Sequence, residues 1–200
     1  MVRMPTTRPY HHGDLRAALL TSAERTLREK GVAALSLREL ARDVGVSHAA
    51  PGRHFKDKQA LLDALTLVGF ERMARAMDAA DDPELPLERR LTALAKTYLG
   101  FAIENAELLE LMFARKHDPD VSAQLTAAVD RSAEPITRLI SDAQQRGEII
   151  EGDPERITMV AAASLHGLAA FTANGSLPAE ASLAGLDEHI HHLLHGLRPR

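Results

Sequence analysis

The sequence predicts an all-α protein with about nine helices, and three observations support this. Apolar residues recur at i, i+3 and i+4 in successive segments, which is the spacing of one buried helix face. No segment alternates apolar and polar residues in the way that predicts a half-buried strand. Glycine, proline and helix-capping residues separate the periodic segments. The chain is therefore predicted to be a series of helices joined by short loops.

The first helix is predicted to begin at Leu15, with Asp14 as its N-cap and Gly31 after its last residue. One face of this helix carries apolar or small residues at helical spacing: Ala18, Leu19, Ser22, Ala23, Thr26 and Leu27. This face is expected to support the elements that follow.

A second, short helix is predicted to follow Ser36. Ser36 and Glu39 have the spacing of a capping box, in which each side chain accepts a hydrogen bond from the backbone amide of the other residue. Leu40 and Val44 share one apolar face of this helix, and Gly45 ends it after about two turns.

A third helix is predicted from Ser47, as its N-cap, to near Phe55, and Asp57 is expected to cap a long helix over 58–79. Two short helices joined by a glycine turn form a helix-turn-helix arrangement. The residues expected to pack on the first helix are Leu37, Leu40, Val44, Val46 and Phe55. The polar face of the third helix would then point outward, in a form that fits the major groove of DNA.

The segment 81–86 combines acidic residues with proline and is predicted to be a surface loop. Asp-Pro pairs begin two of the later helices, because aspartate is a good N-cap and proline suits the first helical position. Pro135 is expected to kink one of these helices or divide it in two. The helices predicted beyond the loop are 87–105, 107–116, Asp118 to Arg146, Asp153 to Asn174, and Leu183 to His195.

Charge is divided unevenly along the chain. Residues 1–60 carry a net charge of +5 and residues 61–200 carry −9, within a whole-chain charge of −4. Such a basic region on an acidic body is expected when one small region approaches a polyanion. Charge alone leaves open the alternative of chance clustering on a solvated face.

Composition excludes several classes of site. The chain has no cysteine, and therefore no disulfide, zinc–thiolate site or cysteine nucleophile. Scarce aromatic residues argue against a surface that stacks single-stranded bases. No apolar run predicts a membrane span or a secretion signal, so a cytoplasmic location is expected. No glycine-rich phosphate loop, nucleophile motif or His-Glu-x-x-His motif occurs, so we expect neither an enzyme nor a cofactor.

Four segments are similar to the N-terminal domain of TetR-family transcriptional regulators: Tyr10–Arg16, Leu35–Ala41, Gly45–Ser47 and His54–Leu62. The likeness is weaker over 98–113. At Leu165-His166-Gly167 the chain resembles a TetR subgroup that has a histidine–glycine pair in its penultimate helix. The resemblance covers about fifty residues densely, and the C-terminal part only in places.

The resemblance implies a helix-turn-helix DNA-binding domain over 1–57 and a helical effector-binding and dimerisation domain over 58–200. It further implies a homodimer, formed through the last two helices, that binds a palindromic operator as a repressor. An unidentified, apolar small molecule would release the repressor from double-stranded operator DNA. No membrane partner is implied.

Positions that match the family's DNA-contacting positions are Arg38, Ser47, His48, Ala49, Gly52, Arg53, His54 and Lys58. Arg38 resembles a residue that reaches bases or phosphates, and Lys58 resembles a phosphate-contacting lysine at a helix N-terminus. Arg53 could pair bidentately with guanine, or it could contact a phosphate. Gly52 departs from the pattern, because the family usually has tyrosine here, whose hydroxyl donates to a phosphate. The alternative function is therefore a helical small-molecule sensor with weakened or lost operator binding.

Candidate residues for an effector pocket in the helical body are Tyr98, Phe101, Met112, Phe113, His117, Met159, His166 and Phe171. Each could instead be an ordinary core residue. An apolar cavity with few polar groups would suit an apolar ligand. His166 could donate or accept a hydrogen bond there, or it could be a satisfied core histidine.

Asp187, His191 and His195 share one helix face at i, i+4 spacing, which is compatible with a zinc or nickel site. No fourth ligand is evident, so we expect no metal. In the family this helix packs against its two-fold mate. The residues expected to form that interface are Ile190, Leu193, Leu194 and Leu197.

Overall fold

The computed structural model describes residues 12–116 and 121–197 of the chain. These residues form nine α-helices and two short 3₁₀ turns, with no strand, so the all-α prediction is confirmed. The helices are α1 (His12–Lys30), α2 (Leu37–Val44), α3 (Lys58–Ala80), α4 (Leu87–Glu104), α5 (Ala106–Arg115), α6 (Ala123–Gln145), α7 (Pro154–Ala173), α8 (Ala179–Ala184) and α9 (Leu186–Leu197). The 3₁₀ turns are η1 (Val32–Ala34) and η2 (Pro51–Arg53).

The chain divides into two compact units, Met1–Leu65 and Thr66–Arg200, with the boundary inside α3. Within the described residues, no helix has both the length and the apolar character needed to cross a membrane.

In the first unit, α1 packs against α2 and η1, and η2 packs against α2. The predicted α1 face lies inward, with Leu19, Ala23 and Leu27 fully buried. Leu40 and Phe55 are also buried, because they supply the apolar side chains that cover this face. The other predicted core residues, Leu37, Val44 and Val46, are half-buried.

Local signals correctly placed several helix ends in this unit. Gly31 and Gly45 both have φ near 76°, in the left-handed region that glycine adopts without strain, and they end α1 and α2. The Oδ1 atom of Asp57 accepts a hydrogen bond from the amide of Ala60 at 2.8 Å, and α3 begins at Lys58.

The predicted capping box at the start of α2 is wrong. Ser36 is the N-cap and its carbonyl accepts from the Leu40 amide, but its side chain makes no capping hydrogen bond. Glu39 does not reach back to Ser36, because its carboxylate lies 3.7 Å from the Arg42 guanidinium one turn further along.

The predicted third helix is shorter and tighter than expected. Its residues form a turn followed by η2, held by i→i+3 hydrogen bonds from Ala50 to Ser47 and from Arg53 to Ala50. Pro51 has no amide hydrogen, so the α-helical bond to the Ser47 carbonyl cannot form. A tight 3₁₀ turn at a buried proline therefore replaces the α-helix.

In the second unit, α4 is the central helix and contacts α5, α6, α7, α8 and α9. Leu94, Leu99 and Ala102 on α4 are fully buried. Asp153 and Pro154 begin α7 as predicted, with the Asp153 carboxylate accepting from the Glu155 amide at 3.0 Å.

α6 differs from its prediction in two respects. The helix runs without interruption through Pro135, so of the two predicted outcomes, a kink or a division, the division is wrong. Ser122 is its N-cap, with Oγ accepting from the Leu125 amide at 3.2 Å. The predicted N-terminal signal at Asp118 and Pro119 lies outside the described residues.

The last predicted helix is two helices, α8 and α9, which separate at Gly185. α9 packs against α4, and this contact buries Ile190 and Leu194 to 3% and 8% exposure within the single chain. The prediction that these two residues form an intermolecular stripe is therefore wrong. Leu193 is half-buried, and the side chain of Leu197 lies outside the described part of the chain.

Candidate nucleic-acid interface and ligand cavity

The structure places most predicted DNA-contacting residues on the surface of the first unit. The exposed ones are Arg38, Ser47, His48, Ala49, Gly52, Arg53 and Lys58, whereas His54 is half-buried. They come from the first turn of α2, from the turn that precedes η2, from η2 itself and from the start of α3.

A shallow polar groove brings part of this set together. Arg38 and His48 line the groove with Ser36, Glu39 and Arg42. Nearby, Nζ of Lys58 donates to the Ala33 carbonyl at 3.3 Å, which holds the start of α3 against η1. The groove thus combines residues that the sequence separates by about a dozen positions.

The charges on this surface favour an anionic partner. Within the described residues, no carboxylate forms an ion pair with Arg38, Arg53 or Lys58, although Arg42 pairs with Glu39. Such guanidinium and ammonium groups can donate hydrogen bonds to phosphate oxygens, and a guanidinium can also pair with a guanine edge. The surface rests on the core through Phe55, over whose ring the Arg16 guanidinium lies at 5.6 Å from the centroid.

The second unit contains a cavity of about 370 Å³, which is within the range of small-molecule sites. Helices α3 to α7 contribute to its walls. The lining residues are Phe70, Met73, Met77, Tyr98, Phe113, Lys116, Val129, Ser132, Ala133, Ile136, Thr158, Met159, Ala162, Ala163, Leu165 and His166.

Four of the cavity's side chains form a continuous series of contacts. The hydroxyl of Tyr98 lies 2.7 Å from Nδ1 of His166, whose ring stacks on Phe113 with centroids 3.9 Å apart. Nζ of Lys116 lies 3.9 Å from the centroid of the Phe113 ring. The phenylalanine ring therefore contacts both an imidazole and an ammonium group.

Burial sets the protonation of these groups. It raises the pKa of Tyr98 well above its usual range, so the phenol remains protonated. Burial, together with the nearby charge of Lys116, lowers the pKa of His166, so its imidazole is neutral at pH 7. The Tyr98 hydroxyl and Nδ1 of His166 therefore share a hydrogen bond between two uncharged groups, and Nε2 is the other ring nitrogen.

The structure brings four of the eight proposed pocket residues to this cavity, namely Tyr98, Phe113, Met159 and His166. Phe101 and Met112 are buried in the core and do not line it, and Phe171 is exposed on α7. His117 lies outside the described residues.

Sequence reasoning missed the cavity's contribution from α3 and α6. Phe70, Met73 and Met77 recur on one face of α3, and that spacing was a usable signal. Lys116 stands three residues after Phe113, a spacing that places two side chains on the same side of a helix.

An apolar face of α7 is exposed in the single chain. Met159, Val160 and Phe171 are 70%, 58% and 56% exposed. Gly167 lies on the same helix, and a Cβ atom there would meet no atom within 4 Å. Large apolar side chains exposed on one helix are typical of an interaction surface.

The three residues considered as metal ligands, Asp187, His191 and His195, make contacts with different partners. Asp187 pairs with Lys96 at 3.0 Å, and Nδ1 of His191 lies 3.1 Å from the Glu88 carboxylate. The rings of His191 and His195 stack with centroids 6.4 Å apart. No group of three or more potential ligands with metal-binding geometry occurs in the described residues.

Two family models match the chain. Residues 19–65 match "Bacterial regulatory proteins, tetR family", and residues 91–197 match "Tetracyclin repressor-like, C-terminal domain". The transcriptional regulator TtgR of Pseudomonas putida is 28% identical over 165 residues, covering 78% of both chains. The transcriptional repressor Rv3405c of Mycobacterium tuberculosis is 33% identical over 138 residues, covering 63% of this chain and 71% of the repressor.

Solved structures agree with these matches. A Rhodococcus protein of unknown function is 42% identical, with a TM-score of 0.85, and the match covers 96% of this chain and 100% of that protein. FadR of Bacillus subtilis, solved with stearoyl-CoA, shares the fold with a TM-score of 0.75 at 13% identity, over 92% of this chain and 100% of FadR. TetR-family proteins are DNA-binding transcriptional regulators and not enzymes. The two family models together span most of the chain, which belongs to the TetR family of transcriptional regulators.

Proposed function

We propose that this protein is a repressor that binds a palindromic operator as a homodimer and leaves it when a small molecule binds. The observation that carries the proposal is the exposed basic surface of the first unit. On it, Arg38, Arg53 and Lys58 have no carboxylate partner among the described residues. Unpaired cations on a helix-turn-helix are suited to phosphate and base contacts.

The proposed dimer forms through α7 and the segment that contains α8 and α9. Its contact would use the exposed face of α7. A second chain would bury Val160 and Phe171 there, and Gly167 would permit its backbone to come close. A two-fold dimer presents two copies of the basic surface, one on each chain. Operator half-sites for such dimers lie about 34–36 Å apart, one DNA turn.

The cavity of the second unit is the proposed effector site. A ligand that binds one conformation of the dimer better than the DNA-bound one lowers operator affinity by the difference in its two binding free energies. FadR, which shares this fold, was solved in complex with stearoyl-CoA, so a ligand with a long apolar chain is compatible with the fold. The proposal places the protein in the cytoplasm, with access to chromosomal DNA.

The test combines selection from a pool of random duplexes with gel shifts at several salt concentrations. We expect a palindrome to be enriched. Arg53→Ala is expected to reduce binding to it by about 1–3 kcal/mol, the value of one good base contact. Arg131→Ala is the matched control, because it removes an exposed arginine on α6 in the second unit and should leave binding nearly unchanged.

Gly52 favours a second candidate function, a small-molecule sensor that has lost operator binding. A residue without a side chain occupies an exposed position on η2, where the family usually has a phosphate-contacting tyrosine. Failure to enrich any sequence, with no gel shift at low salt, would favour the sensor. Equal binding to every duplex would contradict the repressor as well.

A further inference from the structure

The cavity in the second unit is lined mostly by apolar side chains. Its polar lining residues include Tyr98, Lys116 and His166. Apolar side chains from three helices face the cavity, including Phe70 and Met77 from α3, Val129 and Ile136 from α6, and Leu165 from α7. A ligand that fills this volume must therefore bring an apolar body, because polar groups buried here without partners would lose their hydrogen bonds to water.

The charge in the described wall of the cavity is positive. Lys116 is the only charged residue of the described lining, and no described lining residue is acidic. Asp130 lines a neighbouring groove together with Lys116, but no ion pair joins the two among the described residues. Within the described chain, the ammonium group therefore rests on the Phe113 ring without a carboxylate partner.

Neutral polar side chains line the cavity together with Lys116. Nδ1 of His166 is engaged with the Tyr98 hydroxyl, so Nε2 is the ring nitrogen that remains for a ligand. Thr158 lines the same cavity, and its hydroxyl is buried without a hydrogen-bond partner. Burial also lowers the pKa of Lys116, because the ammonium loses water that a bound anion could replace.

We propose that the effector is a lipophilic carboxylic acid, bound with its carboxylate against Lys116 and its apolar body among the α3 and α6 side chains. This inference rests on the proposed function, which makes the cavity the effector site. A lipophilic cation is disfavoured, because the described wall offers it an ammonium group and no carboxylate. A neutral lipophile would forgo the ion pair.

The experiment compares three probes with the same eight-carbon chain, namely octanoate, 1-octanol and octyltrimethylammonium, by isothermal titration calorimetry on the full-length protein. We expect octanoate to bind roughly tenfold or more tightly than 1-octanol, which is the gain from about one charge-assisted hydrogen bond. The ammonium probe should bind least.

Variants assign the preference to one residue. Lys116→Met should reduce octanoate affinity to that of 1-octanol, whereas Lys116→Arg should retain the preference. Lys96→Met is the control, because Lys96 is exposed and pairs with Asp187. Equal binding of octanoate and 1-octanol by the native protein would overturn the inference, as would tightest binding of the ammonium probe.

Gel shifts separate this inference from the proposed function. If 1-octanol releases the selected operator as well as octanoate does, the ligand-responsive repressor stands and the carboxylate preference is wrong. If no probe binds while operator selectivity persists, the carboxylate inference is overturned and DNA recognition stands. If neither ligand nor operator is bound, both proposals fail.

Discussion

Arg90 is a charged residue buried inside the second unit, with only 8% of its side chain exposed. Its guanidinium donates two hydrogen bonds to the carboxylate of Asp81, at 2.8 and 2.9 Å. These bonds raise the pKa of Arg90 although burial opposes this. The pair ties α4 to the residue that follows α3.

We predict that Asp81→Ala lowers the free energy of unfolding by about 3–5 kcal/mol, because it leaves a buried cation without its partner. The double variant Arg90→Met, Asp81→Ala should recover much of that loss, since no unpaired charge remains. Urea unfolding followed by circular dichroism measures both. Asp78→Ala is the control, because it breaks an exposed pair with Arg138 and should cost no more than about 1 kcal/mol. If Asp81→Ala and Asp78→Ala lowered the free energy of unfolding equally, the claim that Asp81 stabilises a buried cation would be contradicted.

His166 predicts a pH dependence of stability. Its folded-state pKa is lowered by burial and by Lys116, relative to the ordinary value of 6.5. The unfolded chain therefore binds the proton more readily than the folded chain. The stability provided by neutral His166 is complete above pH 6.5 and is lost as the pH falls through the lowered folded-state pKa.

We expect His166→Gln, which has no titrating group, to lose less of its free energy of unfolding than the native protein between pH 7.5 and pH 5. Urea unfolding at both pH values gives the difference. Lys116→Met should also reduce the pH dependence, because it removes the nearby positive charge that lowers the pKa of His166. A pH dependence that neither substitution alters would show that other groups cause it.

At the scale of elements, α3 lies against α5 at Gly69. A Cβ atom at this position would lie 2.5 Å from Sδ and 3.0 Å from Cγ of Met112, which is itself fully buried. Gly100 on α4 is the converse case, because a Cβ atom there would meet nothing within 4 Å. Two glycines inside helices therefore have opposite packing requirements.

We predict opposite effects of alanine at these positions. Gly100→Ala should raise the free energy of unfolding by up to about 1 kcal/mol, through helix propensity alone. Gly69→Ala gains the same propensity, but overpacking should outweigh it and destabilise the protein by about 1–2 kcal/mol net. Thermal unfolding of the two variants is the measurement. A stabilising Gly69→Ala would mean that Met112 repacks without strain.

In η2, Gly52 lacks the side chain that could make the proposed contact with a DNA phosphate. Gly52 is exposed and a side chain there meets no neighbour, so tyrosine should fit. We predict that Gly52→Tyr tightens operator binding up to about tenfold, the value of one hydrogen bond to a charged phosphate. Gly52→Phe is the matched control, because it lacks only the hydroxyl. Gel shifts that give the same affinity for both variants would exclude a phosphate contact from this position.

Helix ends were predictable where the signal is local. The glycines after α1 and α2 and the Asp153–Pro154 pair each act within one turn of backbone, so sequence alone placed them. The prediction of an α-helix from Ser47 to near Phe55 did not anticipate the 3₁₀ turn η2. Pro51 indicated it, because a proline inside the segment has no amide hydrogen for an α-helical bond. The cavity was only partly predictable, because it depends on how α3 and α6 pack, and no local pattern specifies which periodic side chains will line a gap and which will fill it.

At the scale of the whole molecule, the proposed operator recognition depends on the pairing of two chains. The single chain leaves Val160 and Phe171 largely exposed on α7, where an equal face of a second copy could cover them. α9 exposes less apolar surface for such a contact, because Ile190 and Leu194 are already buried against the rest of the chain. The exposed α7 face is therefore the decisive part of the proposed dimer contact.

We predict that Val160→Glu with Phe171→Glu converts the dimer to a monomer, because two carboxylates per chain would have to be buried at the two-fold contact. Light scattering should then fall from twice the chain mass to 21.8 kDa, with helical content unchanged. Operator affinity should fall by roughly a hundredfold or more, since the two half-sites would no longer be bound by linked surfaces. Leu85→Glu, in an exposed loop, is the control and should leave both properties intact. A double variant that remains dimeric would move the interface away from this face of α7.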